Sequence, residues 1–549
     1  MTDAVLGFHP QLYEVPGEGK PFGATVASSA FLRALLADAG ENLLRVRLDG
    51  DAAIGAAEKL VAALGLSVPV EAADNDALVR IGALHLPYPA LGPAAWERHG
   101  RGAAAYSVTG VAHAVASPGA LQAIADLATA PLAPWDAVIC PSMALRGVIS
   151  EVLEAERDYL AWRLQAAVQP ALPALPVIPL GVDTDRFTPH AGSRAAWRAR
   201  LGAGPDDVVL LFVGRLSASR KANPVALFLA AERAAQRRPE RLMIAMAGWF
   251  ADDVTGREFA ASAARLCPSV SVSFLDGRVP AVRDGIWSAG DVFVSLVDNV
   301  QETFGLSPIE AMAAGLPVIA SDWDGYRETV RDGVDGILVP TAMPEAPFGA
   351  ALVDRLASPA GKLDFLGAVS QTVVVSIDAA ALAIERLMAD PGLRRQIGAA
   401  GRARAAEYAW PSVIARYRAL WAELAARRRA ADRVSSPPRG ARIDPYRAFG
   451  GYPSWRIDLA TGVRLAEHAD AEALGRRHRH GLARLDAALF PSAAEYVRLL
   501  DRLVAGPATV GAMAATLGPD RLAVAVRGVA LLAKLGLVIL DPPDQRGSR

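Results

Sequence analysis

Over roughly its first 420 residues the chain alternates short apolar runs with longer stretches whose apolar positions recur at helical spacing. That alternation predicts parallel strands covered on both faces by helices. In the first half it predicts strands near Leu43–Leu48, Ala77–Leu84, Ala104–Val111, Ala137–Cys140 and Pro176–Leu180, with a helix from about Ser28 to Asp38 ahead of them. No clear strand precedes the text "EVPGEGKPFGATVASS". The proline-rich run "QPALPALPVIPLGVDTDRFTP" marks a boundary near residues 185–192. The rhythm then restarts, with strands expected at Val208–Val213, Arg241–Ala247, Val270–Leu275, Asp291–Leu296, Pro317–Ala320 and Gly336–Val339, and a helix at Pro224–Gln236. Several of these strands are near-continuous Val/Ile/Leu runs, as strands buried on both faces require.

The pattern divides the chain into a first α/β domain (1–190), a second (191–410) interrupted by an insertion at 343–377, and a terminal helix (411–433). A linker (434–451) and an appended, mainly helical and winged-helix-like domain (452–549) follow. That last part closes as helix, turn, helix and short strand. Two successive doubly wound domains can turn the C-terminal ends of their strands, where ligands bind in such folds, toward a common cleft.

Composition narrows the class. At 549 residues, domains of about 100–200 residues give three or four units. A formal net charge of -1 supplies no general attraction to nucleic acid or anionic membrane. Two cysteines, Cys140 and Cys267, cannot form a disulfide framework. No signal peptide is evident, and the most apolar stretch, Leu522 to Leu540, is broken by Arg527 and Lys534. The expectation is a soluble, cytoplasmic protein.

The chemistry concentrates in "QETFGLSPIEAMAAGLPVIASDWDG", Gln301 to Gly325. A strand ends before it, and a helix begins near Ser307. The loop between them presents backbone N–H groups at a helix N-terminus, which suits a phosphate. Glu302 before the turn and Glu310 inside the helix would repel such a ligand unless each faced neutral hydroxyl groups. A diphosphate flanked by a sugar and a ribose satisfies both demands.

This string, Glu302-Thr-Phe-Gly-Leu-Ser-Pro-Ile-Glu310, resembles the E-x7-E signature of retaining glycosyltransferases of family 4, which have the GT-B fold of two Rossmann-like domains. The resemblance implies that Glu302 binds donor-sugar hydroxyls, that Glu310 binds the ribose, and that the amides of Thr303, Phe304, Gly305 and Leu306 hold the diphosphate. "VGRLSASRKANP" is similar to the family's Gly-Arg…Lys element, so Gly214, Arg215 and Lys221 are expected at the diphosphate, with Arg220 able to compete. His113, in "YSVTGVAHAVASPG", resembles the family's active-site histidine. "IPLGVDTDRF" is similar to the segment leading into the second domain. The N-terminal glycine loop departs from the family pattern, and Gly19 is its candidate for a close backbone approach to the donor.

Two Asp-x-Asp strings, Asp183-Thr184-Asp185 and Asp322-Trp323-Asp324, lack accompanying ligands, and no catalytic metal or cofactor is expected. His478 and His480 read as a solvated basic helix end, as does Arg427–Arg433. The expected activity is metal-independent transfer of a hexose, with retention, from a nucleotide-diphosphate sugar to a glycan, lipid-linked or protein acceptor. The alternatives are a nucleotide-sugar epimerase or phosphorylase on the same fold, or a non-catalytic scaffold. Self-association or partner docking falls to the C-terminal domain, with no nucleic-acid partner and at most peripheral membrane contact.

Overall fold

A computed structural model describes residues 4–13, 23–38, 43–48, 52–188, 192–356, 361–431, 443–467, 469–478 and 489–541. It divides into two compact units, 1–437 and 438–549.

The first unit contains two six-stranded sheets. One comprises β1 (Val5–Gly7), β2 (Leu44–Arg47), β3 (Val70–Ala72), β4 (Ala83–Leu86), β5 (Ser107–Val111) and β6 (Ala137–Ile139), in the order β3-β2-β1-β4-β5-β6. The other comprises β7 (Val208–Val213), β8 (Leu242–Gly248), β9 (Ser271–Asp276), β10 (Val292–Ser295), β11 (Val318–Ser321) and β12 (Gly336–Val339), in the order β12-β11-β10-β7-β8-β9. Strand pairing is parallel throughout both sheets. The orders are the same once each sheet is numbered from its own first strand. Each sheet therefore reverses direction once, between β1 and β4 and between β7 and β10, and opens a crevice at the C-terminal strand ends there. These are the two doubly wound domains of a GT-B fold.

The second sheet follows the apolar runs closely, because β7, β8, β10 and β11 are buried almost end to end. The first sheet departs from expectation at four places, one of them the edge strand β3, Val70–Ala72, whose exposed residues form no apolar run. Its central strand β1 is a three-residue segment that the alternation did not reveal. The run expected as a strand at Ala77–Leu84 is a helix, Asn75–Ile81, followed by β4. Asp74 caps that helix through the Ala77 amide at 2.7 Å, and Gly82 closes it at φ 86°, a left-handed conformation that glycine adopts without strain. Residues 176–180 make bridges beside β6 rather than a full strand.

The helix Trp410–Ala430 returns from the second domain to the first. Its Val413, Ile414, Tyr417, Leu420, Trp421 and Leu424 complete the core beneath β1 and β2. Its arginine-rich end is docked rather than solvated: Arg428 donates to the carbonyls of Gly82 and Ala105, and Arg427 to Pro134 at 3.2 Å. Burying those carbonyls without a donor would cost more than ordering the side chains. Val182 bridges Ala409, and a Cβ on Gly181 would overlap the Trp410 ring, so the two chain crossings between domains run side by side. The insertion forms helices Ala350–Leu356 and Gly361–Ser370, framed by the antiparallel pair β13 (Thr341–Ala342) and β14 (Val374–Val375).

The second unit has an antiparallel sheet of β15 (Gly462–Leu465), β16 (Ala508–Thr509) and β17 (Val538–Asp541), with β15 central. Helix Ala493–Val504, fixed by a Ser492–Glu495 capping box, packs Tyr496, Leu499 and Leu503 onto Val463, Met513 and Leu532. A short helix, Pro445–Ala448, lies in the segment expected as linker. No helix among the described residues is long and apolar enough to cross a membrane.

Candidate functional site

The switch point of the second sheet gathers most of the charged residues singled out from the sequence. β7 ends at Val213, and Gly214 turns the chain with φ 157° and donates to the Ala247 carbonyl at 3.0 Å. Its own carbonyl lies so close to Gly248 that a Cβ on Gly248 would overlap it. Arg215 follows, its guanidinium 5.8 Å from the Trp249 ring centroid. Lys221 lies further along the same loop and forms an ion pair with Glu302, both side chains mostly buried. Residues assigned separately to phosphate and sugar thus hold each other.

Burial and the neighbouring Arg220 lower the Arg215 pKa, with Glu302 acting against them. Burial also works against the Lys221 ammonium, but Glu302 and Tyr326 outweigh it and hold that pKa above its usual value. Both groups are cations at neutral pH.

The Glu302 loop is fixed from several sides. Asn299 accepts from the Gln301 amide at 2.9 Å through its side chain and from Glu302 at 3.2 Å through its carbonyl. Asn299 also donates to the Ser219 carbonyl at 2.7 Å, which ties this loop to the Arg215–Lys221 loop. Gly305 has φ 85°, and a Cβ there would overlap the Tyr326 ring. The helix Leu306–Ala313 starts at that point. Among the described residues, no acceptor is bonded to the amides of Thr303, Phe304, Gly305 or Leu306. Four donors at a helix N-terminus make a ready anion seat.

The first domain closes on the same loop. Thr303 donates through Oγ1 to the His113 carbonyl at 2.6 Å, and Ser142 donates through Oγ to the Thr303 carbonyl at 2.7 Å. Ser142 also caps the 22-residue helix Met143–Leu164. The Glu328 carboxylate accepts from the Met143 amide at 2.6 Å, where the helix dipole favours an anion. His113 therefore touches the site through its backbone. Its ring nitrogens are buried without hydrogen-bond partners among the described residues, and burial lowers its pKa to about 4, so the ring is neutral.

Glu310 stands apart from that cluster. It lines an open groove with Leu306, Asp183, Arg186 and Trp410. Burial raises its pKa to about 7, with Arg186 and Lys221 pulling the other way. Gly19 lies outside the described residues, as do the imidazoles of His478 and His480.

Several neighbours were not singled out from the sequence: Ser142, Asn299, Gln301, Asp324 and Glu328. In the sequence Asp324 stands only as half of an Asp-x-Asp string. The signal that marks it is a non-glycine residue at φ 50° in the loop after β11, which is visible only in three dimensions. Among the described residues, no three or more His, Cys, Asp or Glu side chains converge as a metal site.

Residues 207–358, which hold β7 through the Glu302 loop and β12, match the family described as glycosyl transferases group 1. Particular relatives are similar to longer stretches. The D-inositol 3-phosphate glycosyltransferase of Geodermatophilus obscurus is 40% identical over 183 residues, 32% of this chain and 39% of that protein. That of Streptomyces bingchenggensis is 32% identical over 254 residues, 45% of this chain and 47% of that protein. The chain thus spans less than half the length of these curated relatives. Among solved structures, a sucrose-phosphate synthase from Thermosynechococcus elongatus covers 77% of this chain and 99% of its own at 21% identity, with a TM-score of 0.47. The Anabaena HepE protein in complex with UDP and glucose covers 75% and 98% at 16% identity, with a TM-score of 0.48.

Proposed function

We propose that the protein transfers a hexose-type sugar from a nucleotide-diphosphate donor to a hydroxyl-bearing acceptor, with retention of configuration and without a catalytic metal. The observation that carries this reading is the convergence of Arg215, Lys221, Glu302 and four unbonded amides on one switch point. The match of residues 207–358 to glycosyl transferases group 1 supports the same reaction class.

In this reaction the bond between the sugar's anomeric carbon and the diphosphate oxygen breaks, and a bond from that carbon to the acceptor oxygen forms on the same face. The acceptor's proton passes to the departing phosphate. Arg215, Lys221 and the amides of Thr303 to Leu306 stabilise the negative charge that grows on the diphosphate, and fixed donors beside the mostly buried Lys221 and Glu302 are worth more than donors in open solution. Glu302 holds donor-sugar hydroxyls once the donor draws Lys221 toward phosphate. Glu310 holds the ribose, and its raised pKa lets it donate as well as accept at neutral pH. The neutral His113 ring can hydrogen-bond the sugar without repelling the cationic loop. The acceptor, a glycan, lipid-linked sugar or protein, lies on the first-domain side of the cleft.

The test is nucleotide release from UDP-, GDP- and ADP-sugars, with and without EDTA. One donor should be hydrolysed slowly and EDTA should leave that rate unchanged. Glu302→Gln and Arg215→Ala should each lower it by about 10²–10³-fold, the usual cost of losing one preorganised electrostatic contact. Unchanged rates in both variants, or no binding of any donor by calorimetry, would sink the reading; the latter would favour a scaffold.

A further inference from the structure

The strand β11 ends at Ser321, and the loop after it carries the one buried carboxylate oxygen without a hydrogen-bond partner among the described residues: Oδ2 of Asp324. The loop is anchored on both sides of that residue. Trp323 donates through Nε1 to the Asn299 carbonyl at 3.3 Å, and the Tyr326 hydroxyl meets Ser295 at 2.9 Å. Next in sequence, Gly325 packs so tightly that a Cβ would come within 2.6 Å of the Phe304 Cα and 3.0 Å of the Thr303 carbonyl. Asp324 is therefore held next to a residue packed on Thr303 and Phe304 of the Glu302 loop.

Two costs are concentrated at this position. The backbone sits at φ 50°, a left-handed conformation that aspartate visits more readily than most side chains but less readily than glycine. The carboxyl is also placed where Glu302 and Glu328 repel it, with Lys221 as opposing charge and the Tyr326 ring alongside. Burial and these carboxylates raise its pKa to about 8. A residue serving only the turn would be better as glycine. Two further residues near the Glu302 loop hold orphans: Oε1 of Gln301, next to Glu302 in sequence, and the ring nitrogens of His113, whose carbonyl accepts from Thr303. Unpartnered buried polar atoms are costly, and their clustering points to a ligand that completes them.

The ligand chemistry follows from the charges. A carboxyl group beside Glu302 repels phosphate, while Lys221 already neutralises Glu302 and disfavours a cation. A sugar hydroxyl both donates and accepts, and a protonated carboxyl matches it. We propose that Asp324 is a specificity-determining residue of the donor site, its carboxyl group binding a hydroxyl of the donor sugar next to Glu302. This rests on the transfer reading above.

The test compares wild type with Asp324→Gly, which relieves the backbone, and Asp324→Asn, which tolerates the same φ and keeps a donor and an acceptor. The probes are UDP-glucose, UDP-galactose, GDP-mannose and ADP-glucose, with UDP, GDP and ADP as sugar-free controls. Asp324→Gly should raise KM for the preferred donor at least tenfold and weaken the preference between donors sharing its nucleotide. The Kd for the matching nucleoside diphosphate should stay within twofold of wild type. Wild-type donor KM should rise above about pH 8 as Asp324 loses its proton, whereas Asp324→Asn should be flat there. A KM within twofold of wild type in Asp324→Gly overturns the proposal. So does equal weakening of the sugar-nucleotide and the bare nucleotide, which would mark a structural role. If wild type binds none of the nucleotides, the transfer reading itself has failed.

Discussion

The two sheets of the first unit are built alike at their N-terminal edges and unlike at their C-terminal edges. At the foot of the first, Asp136 stands immediately before β6, accepts from the Val108 amide at 2.8 Å, and pairs with Arg98 through two hydrogen bonds of 2.5 and 2.9 Å. At the foot of the second, Asp291 stands immediately before β10, accepts from the Val209 amide at 2.9 Å, and pairs with Arg198 at 2.8 Å. In both, an aspartate ties the entry of one strand to its neighbour and to an arginine on a preceding helix. At the opposite edges the likeness ends. The second sheet opens on Arg215, Lys221 and Glu302, whereas the first opens on His85, Tyr88 and the apolar wall of Leu6, Phe31 and Val111. The shared device belongs to folding, and the divergent edges belong to chemistry.

That comparison breaks if the foot of the first sheet matters to donor binding. Arg98 is fully buried and donates to the Tyr106 and Pro131 carbonyls besides Asp136. Asp136→Ala would leave that guanidinium without its anion, and removing one partner of a buried pair costs about 3–5 kcal/mol. Urea unfolding should show a loss of that order, with Asp136→Asn losing less because its shape is kept. Nucleoside-diphosphate affinity, measured below the unfolding transition, should match wild type in Asp136→Asn. A weakened affinity there would mean that the foot and the cleft are coupled.

The same contrast explains what was legible in the sequence. The second sheet could be read nearly residue by residue because β7 to β12 are apolar runs punctuated by charged or glycine-containing loops. In the first sheet, β1 is too short for any period to show, and the helix Asn75–Ile81 joins β4 in one apolar run. Its stops, Asp74 and Gly82, are both present in the sequence as cap residues. In the candidate site, Arg215, Lys221, Glu302 and Glu310 stood out through the spacing of the string from Glu302 to Glu310 and through the Gly-Arg…Lys run, although Glu310 lies inside a helix. The Lys221–Glu302 pair and the place of Asp324 did not. They depend on loops some twenty to eighty positions apart meeting at one sheet edge, and on a backbone angle that no residue type declares.

The first sheet's C-terminal edge carries a pH signature of its own. Burial, and secondarily His113, lowers the His85 pKa to about 3, while His85 meets Thr109 at 3.1 Å. Folded His85 and His113 therefore stay neutral as the pH falls from 6.5 to about 4, while the unfolded chain takes up protons. Their contribution to stability is present above pH 6.5 and is lost as pH falls through that window. Tm should decline there by several degrees, and His85→Gln should decline less steeply whatever its absolute Tm. Equal slopes for the two proteins would show that the buried imidazole is not the source.

The smallest effect expected concerns Glu310, and its sign is opposite. Burial raises its pKa to about 7, so in the absence of ligand the folded protein holds a proton that the unfolded chain releases above about pH 4.5. Stability from this group is full below that point and falls as pH rises through 7. Glu310→Gln removes the titration while keeping the volume, so its Tm should match wild type near pH 4 and exceed it by a few degrees at pH 8. Arg186 and Lys221 offset part of the burial cost and keep the gain small. A Tm difference independent of pH would place the Glu310 carboxyl in solvent. On the proposed assignment of Glu310 to the ribose, the gain in stability should come with weaker binding of the nucleotide donor, because such a carboxyl offsets its desolvation only when the ligand is bound. If Glu310→Gln gains stability and keeps full donor affinity, the groove beside Arg186 is not the ribose site.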